Sequence, residues 1–210
     1  MNHSLALLLA GALSTAALYA GDASRLTYIK SFPGSTPEYL QITLDHAGNA
    51  EYRDRVDDDL PLKFHLTPAE TQEVFSLAEK LDFFKRPLES GLKVAFMGAK
   101  TFRYDDGATH NEAKFNYSED LSAQQLLDWF ERMAESAAHR IDLERAAKYD
   151  KLGVDKAVRL LSAALERKRL VGLEQFLPTL DRIANNDSYM HTARARAAEI
   201  AESIRAVAKP

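Results

Sequence analysis

The residues able to do chemistry in this chain are six histidines, a run of aspartates, and scattered serines and carboxylates. His3, His46, His65, His110, His139 and His191 never recur at the i, i+4 spacing that lets two imidazoles on one helix face share a zinc ion, and no His-Glu-x-x-His is present. His46 and His110 fall in expected turns, where an exposed imidazole is usually just a polar group. Asp54 and the run Asp57-Asp58-Asp59 offer carboxylates to a hard cation. A calcium loop, however, interleaves its carboxylates with a glycine and closes on a bidentate glutamate. These three aspartates are consecutive and lead straight into Leu60-Pro61, so they read as a solvated acidic turn that discourages strand pairing between molecules. Nucleophilic catalysis lacks its usual marks, with no Gly-x-Ser-x-Gly elbow and no cysteine. The nine glycines are scattered among turns and form no phosphate loop. The residues thus assign no catalytic, cofactor or metal site, and the expectation is a non-catalytic protein that needs no cofactor.

Aromatic residues are the other candidates. Tyr28, Phe32, Tyr39, Tyr52, Phe102, Tyr104, Phe115 and Tyr117 alternate with polar residues in strand-like segments. A carbohydrate- or peptide-binding face can be built that way, but sheet cores are built that way far more often. Trp129 stands one position off the apolar stripe of its helix and reads as a residue packing helices against a sheet.

Composition bounds what could position these groups. The 210 residues are 46% hydrophobic and 28% charged, ordinary for a folded protein, with a net charge of −4. Nothing is basic enough to point to nucleic acid. The absence of cysteine rules out disulfides and thiolate chemistry. The first twenty residues carry no charged side chain, and their apolar run ends in small residues, the pattern of an export signal over 1–20. Cleavage after Ala17 or after Ala20 fits that pattern, and retention as an N-terminal anchor is the alternative. The expected compartment is periplasmic or secreted, with membrane contact only through an uncleaved leader.

Hydrophobic periodicity then supplies the elements. Leu26, Tyr28 and Phe32 share a phase, and Leu40, Ile42 and Leu44 alternate strictly with polar residues. Asp45 to Asn49 contains Gly48, suited to a tight hairpin turn, and Ala50, Tyr52 and Asp54 form the return strand. Leu60, Leu62, Phe64 and Leu66 make another alternation. Thr67-Pro68-Ala69-Glu70 is a capping box with proline at the first helical position. The helix it opens buries Val74, Phe75, Leu77, Ala78, Leu81 and Phe84, and stops before Pro87. Strands around 100–104 and 112–117 join through Asp105-Asp106-Gly107. Val94-Ala95-Phe96-Met97 adds an apolar strand or loop before them.

From Ser122 the period becomes helical. Ser122 with Gln125 resembles a second capping box, and Leu126, Leu127, Phe130, Met133, Ala134, Ala137, Ala138 and Ile141 mark one long helix reaching towards Lys148. Three more apolar stripes follow, starting at Val154, Leu173 and Ala193. Segregated strands then helices predict an α+β fold: an antiparallel sheet of hairpins with covering helices over 24–140, followed by a helical tail over 141–208.

Two resemblances attach to these residues. A polar-turn hairpin, Leu66-Thr-Pro-Ala-Glu70, a helix ending Leu81-Asp-Phe-Phe84 and a second hairpin resemble exported bacterial α+β domains of unknown function, over 39–133. That likeness implies a fold and no activity. In the tail, eight inward positions recur 39 residues apart: Ala134, Ala137, Ala138, Ile141, Val154, Val158, Leu161 and Leu165 precede Leu173, Phe176, Leu177, Leu180, Ala193, Ala197, Ile200 and Ile204. Leu173-Glu-Gln-Phe-Leu-Pro-Thr-Leu-Asp-Arg-Ile-Ala184, then Thr192-Ala-Arg-Ala-Arg-Ala-Ala-Glu-Ile-Ala201, resembles a HEAT-like helical pair, with Pro178 bending its first helix. Two ordinary amphipathic hairpins completing a bundle are the alternative.

The functional expectation is an exported binding or scaffolding module whose partner is another envelope or secreted protein, docking on a helical groove or a sheet edge. A small envelope hydrolase with an unrecognised site, and an inhibitor or sensor domain, are the alternatives.

Overall fold

The computed structural model describes residues 24–208; the expected leader lies outside them. Strands β1 (Arg25–Ser31), β2 (Tyr39–Asp45), β3 (Asn49–Arg53) and β4 (Leu62–His65) form a meander. Helix α1 (Pro68–Lys80) then crosses the sheet, and the hairpin β5 (Ala99–Asp105) and β6 (His110–Phe115) returns beside β1. The result is one antiparallel six-stranded sheet in the order β4-β3-β2-β1-β5-β6. Helices α2 (Leu121–Tyr149), α3 (Val154–Glu166), α4 (Leu177–Ala184) and α5 (His191–Ala208) complete an α+β fold with a C-terminal helical tail.

Alternation decides which face of the sheet is covered. In register, Leu26 lies between Leu44 and Tyr104, and Tyr28 between Ile42 and Phe102, all on the face beneath α1 and α2. Phe102 is the hub, with ring centroids 5.3 Å from Phe84, 5.0 Å from Phe115 and 5.8 Å from Phe130. The opposite face carries Thr27, Thr43, Glu51, Lys63, Arg103, Glu112 and Lys114, the polar half of a one-sided antiparallel sheet.

Local chemistry fixes the ends of α1. Thr67 Oγ1 accepts from the Glu70 N–H, and the Glu70 carboxylate accepts from the Thr67 N–H at 2.8 Å. At the other end the helix stops at Lys80, earlier than the apolar pattern implied. Asp82, Phe83 and Phe84 all take positive φ, a strained turn for side-chain-bearing residues. Burial of Leu81 and Phe84, with Phe83 packed on Tyr104 at 4.4 Å, holds it.

Several expectations are corrected. Leu60 is 88% exposed, because β4 begins only at Leu62 after the acidic turn. Asp54 lies past the end of β3. The cap of α2 is Asp120, whose Oδ1 accepts from the Ser122 and Ala123 N–H groups, so Ser122 is already inside the helix. Pro178 sits in the first turn of α4, where its missing N–H costs nothing, and it bends no helix. Ala138 is exposed.

That last point reflects how α2 is used. Ala123, Leu126, Phe130, Met133 and Ala137 line one stripe in the sheet core. Trp129, Ser136, Leu143 and Ala147 line a second, roughly a quarter turn away at about 100° per residue. Its upper part faces α1 and its lower part joins the core of α3, α4 and α5. Trp129 is therefore no outlier of one stripe but the first member of another.

The tail is fastened to the front domain through the segment between α3 and α4. Arg169 reaches Asp128 at 2.6 Å and Glu135 at 2.9 Å, both on α2, and these carboxylates raise its already high pKa. The Val171 N–H donates to Ser136 Oγ at 2.9 Å. The Gly172 N–H donates at 3.2 Å to Glu70, so the capping glutamate of α1 also anchors the tail. Gly172 has φ +57, and a Cβ there would come within 2.6 Å of the His65 carbonyl oxygen. Gly172→Ala should therefore lower the unfolding free energy in urea by about 2 kcal/mol. Gly34→Ala, also at positive φ but with open space around it, should cost clearly less; equal losses would show that the approach to β4 is unimportant.

Candidate functional site

The inward phase of β5 reads Lys100, Phe102, Tyr104, and places a lysine where the core expects a hydrophobe. Lys100 is only 6% exposed. Its Nζ donates to the Asn116 carbonyl oxygen at 2.7 Å and to the Gly98 carbonyl oxygen at 3.4 Å. Among the described residues no carboxylate approaches Nζ within 4.0 Å. Burial and the neighbouring Lys30 push the ammonium pKa down, against the weaker pull of Glu131 and Glu89.

Lys100 lines a pocket of about 430 Å³ at this end of the sheet. Val94, Ala95 and Met97 form one wall, the run from Phe115 to Ser118 a second, and Ala123, Leu127 and Glu131 of α2 the third. The wall made by the 88–98 loop has no regular structure, which settles the strand-or-loop alternative for Val94 to Met97. Side chains hold it instead. Asn116 Oδ1 accepts from the Met97 N–H at 2.9 Å while Asn116 Nδ2 donates to the Ala95 carbonyl at 3.1 Å. Glu89 accepts from the Asn116 N–H, which holds its carboxyl below the usual range. The outer surface of this loop is apolar and exposed: Leu92, Val94, Phe96 and Met97, with Tyr117 beside them in the pocket wall.

The two sheet edges differ. The β4 edge is closed, since Arg140 donates to the Lys63 carbonyl at 2.8 Å and Gly172 backs onto His65. No strand among the described residues lies beyond β6. Counting from the Asp106 N–H bond to the Thr109 carbonyl, the alternation of an antiparallel ladder turns the main-chain groups of His110, Glu112 and Lys114 outward.

The residues singled out by type lie elsewhere. His46 stacks on Phe75 at 3.5 Å, and His110 Nδ1 sits 3.0 Å from Asp105 at a hairpin end. His65 is at the end of β4, His139 on α2 and His191 at the start of α5. Among the described residues no three His, Asp or Glu side chains are placed to share a metal ion. In the acidic turn, Asp58 Oδ1 accepts from the Leu60 N–H and its carbonyl from Arg53. Of the aromatics, Tyr28, Tyr52, Phe102, Tyr104 and Phe115 fill the sheet core, and Phe115 and Tyr117 also line the pocket. Trp129 donates from Nε1 to Glu73 at 3.2 Å, with Arg132 over its ring at 4.5 Å. Sequence reasoning missed Lys100 and Glu131. The signal for Lys100 was present as a charged residue in the apolar phase of an alternating strand.

The cost of Lys100 is measurable. Its charged form is disfavoured in the fold, so the penalty is complete below the lowered folded pKa and disappears as pH rises to the ordinary 10.5. In that window the unfolded chain binds the extra proton, and stability rises with pH. Lys100→Met should remove this slope and leave the fold at least as stable at neutral pH. Urea titrations over that range test it; a difference between wild type and variant that stays flat with pH would show that the charge costs nothing.

No protein-family model matches the chain, and no curated protein matches it.

Proposed function

We propose that this protein is an exported, non-catalytic binding module that seats an apolar anchor of a partner protein in the pocket between the 88–98 loop and α2. One observation carries the reading. The pocket is apolar, and its outer wall is an exposed hydrophobic loop fixed by Asn116 and Glu89. Exposed apolar patches of this kind mark interaction surfaces, and an apolar cavity with few polar groups is the usual form of a recognition site. The free β6 edge beside it offers main-chain groups to the same partner.

The hydrolase alternative asks for a nucleophile held by a base. Ser118, the pocket's serine, instead accepts from the Asp120 N–H at 3.3 Å. The partner fitting an export leader is another envelope or secreted protein.

Selection of a random peptide display library on the protein, followed by titration of the enriched peptides, tests this reading. The peptides should share an apolar anchor, and Met97→Asp should weaken them about tenfold or more, the scale of a lost buried anchor. Leu160→Asp, on the exposed face of α3, should change nothing. Loss at Leu160 with none at Met97 would move the site to the tail and end this proposal.

A further inference from the structure

Lys100 is a buried ammonium without a carboxylate partner within 4.0 Å among the described residues. Charges are rarely taken out of water unless paired, yet Lys100 is nine-tenths buried with two carbonyl oxygens as its acceptors, one of them distant at 3.4 Å. An ammonium has three N–H donors, so one remains for an occupant of the pocket. The nearby carboxylates do not serve it. Glu89 is engaged by the main-chain N–H groups of Asn116 and Gly91, and Glu131 stands exposed on α2. Asn116 is equally committed, because both ends of its amide hold the loop, and Gln124 donates from Nε2 to the Ser118 carbonyl at 2.9 Å.

Resting on the binding reading above, we propose that the pocket recognises a free C-terminal carboxylate: the last residue of the partner places an apolar side chain against Phe115 and Leu127 and its carboxylate on Lys100. Two features favour a peptide terminus over a lipid acid. The outward main-chain groups of Glu112 and Lys114 run along the strand that ends in the pocket wall, where the residues before the terminus can pair. The pocket also opens onto a hydrophobic loop that can cover a second side chain. Glu131 gives selectivity, because it opposes any carboxylate that does not reach Lys100.

The test uses the full chain and two acetylated hexapeptides of alternating threonine and valine ending in leucine, one a free acid and the other the C-terminal amide. Sodium decanoate is the third probe, and calorimetry reads all three. The acid should bind about tenfold or more tightly than the amide, the scale of a charge-assisted hydrogen bond. Lys100→Met should bring the two within about twofold, by weakening the acid far more than the amide. Glu131→Gln should strengthen the acid alone, which keeps the idea testable should the lysine variant fold poorly. Equal binding of acid and amide to the wild type overturns the carboxylate inference but leaves the pocket reading standing. Failure of both peptides overturns both readings. Decanoate binding more tightly than the peptide acid overturns the peptide terminus in favour of a lipid acid.

Discussion

One helix carries the mechanical continuity of this molecule. Over 29 residues, about 43 Å at 1.5 Å per residue, α2 contributes to both apolar cores. It can do so because the cores take different lengths of the helix, the sheet core Ala123 to Ala137 and the tail core Leu143 to Ala147, with the buried face turning by about a quarter turn between them. Arg140, between the two regions, closes the change of face by spanning Glu144 and the β4 carbonyl of Lys63. Among the described residues the sheet and the tail helices are joined chiefly through α2 and the short segment after α3. A disturbance to the helix axis therefore reaches both cores at once.

Against that frame of mutually supporting contacts, one end of the sheet is inconsistent. Elsewhere the inward phase of the strands is apolar except for Asn111 of β6, opposite Tyr104, and α1 and α2 are capped by side chains, as in a sequence whose local and global preferences largely agree. At the β5–β6 end the inward phase carries Lys30 and Lys100, and exposed apolar residues crowd a loop with no secondary structure. Such departures are costly and tend to coincide with function. The polar groups that rigidify this end, Asn116 and Glu89, spend their hydrogen bonds on shaping the wall rather than on the cavity.

How much was legible in the sequence depended on the range of the signal. The strands and the α1 cap were readable because period two and a Thr-x-x-Glu pair are local facts. Leu60 misled because alternation extends past the point where pairing stops, and pairing is not local. Asp120 rather than Ser122 caps α2, and its second carboxylate oxygen meets Arg86, 34 residues away, a contact that no local pattern encodes. The second stripe of α2 was invisible as a stripe, since a spacing of seven through Trp129, Ser136 and Leu143 includes a serine. That serine is inward because it accepts the Val171 N–H, a bond formed across 35 residues. The fold was thus largely readable and the pocket was not, because its walls come from three separate segments whose meeting no periodicity encodes.

The pocket is also set apart from the first described strand end. Arg25, at the start of β1, pairs with Asp105, whereas the pocket lies by Ser31 and Ala99 at the other end of the same strands. Seven residues of strand separate the two by about 23 Å. The pocket and the start of the described chain therefore lie at opposite ends of β1, and the strand pairing that joins them fixes that separation.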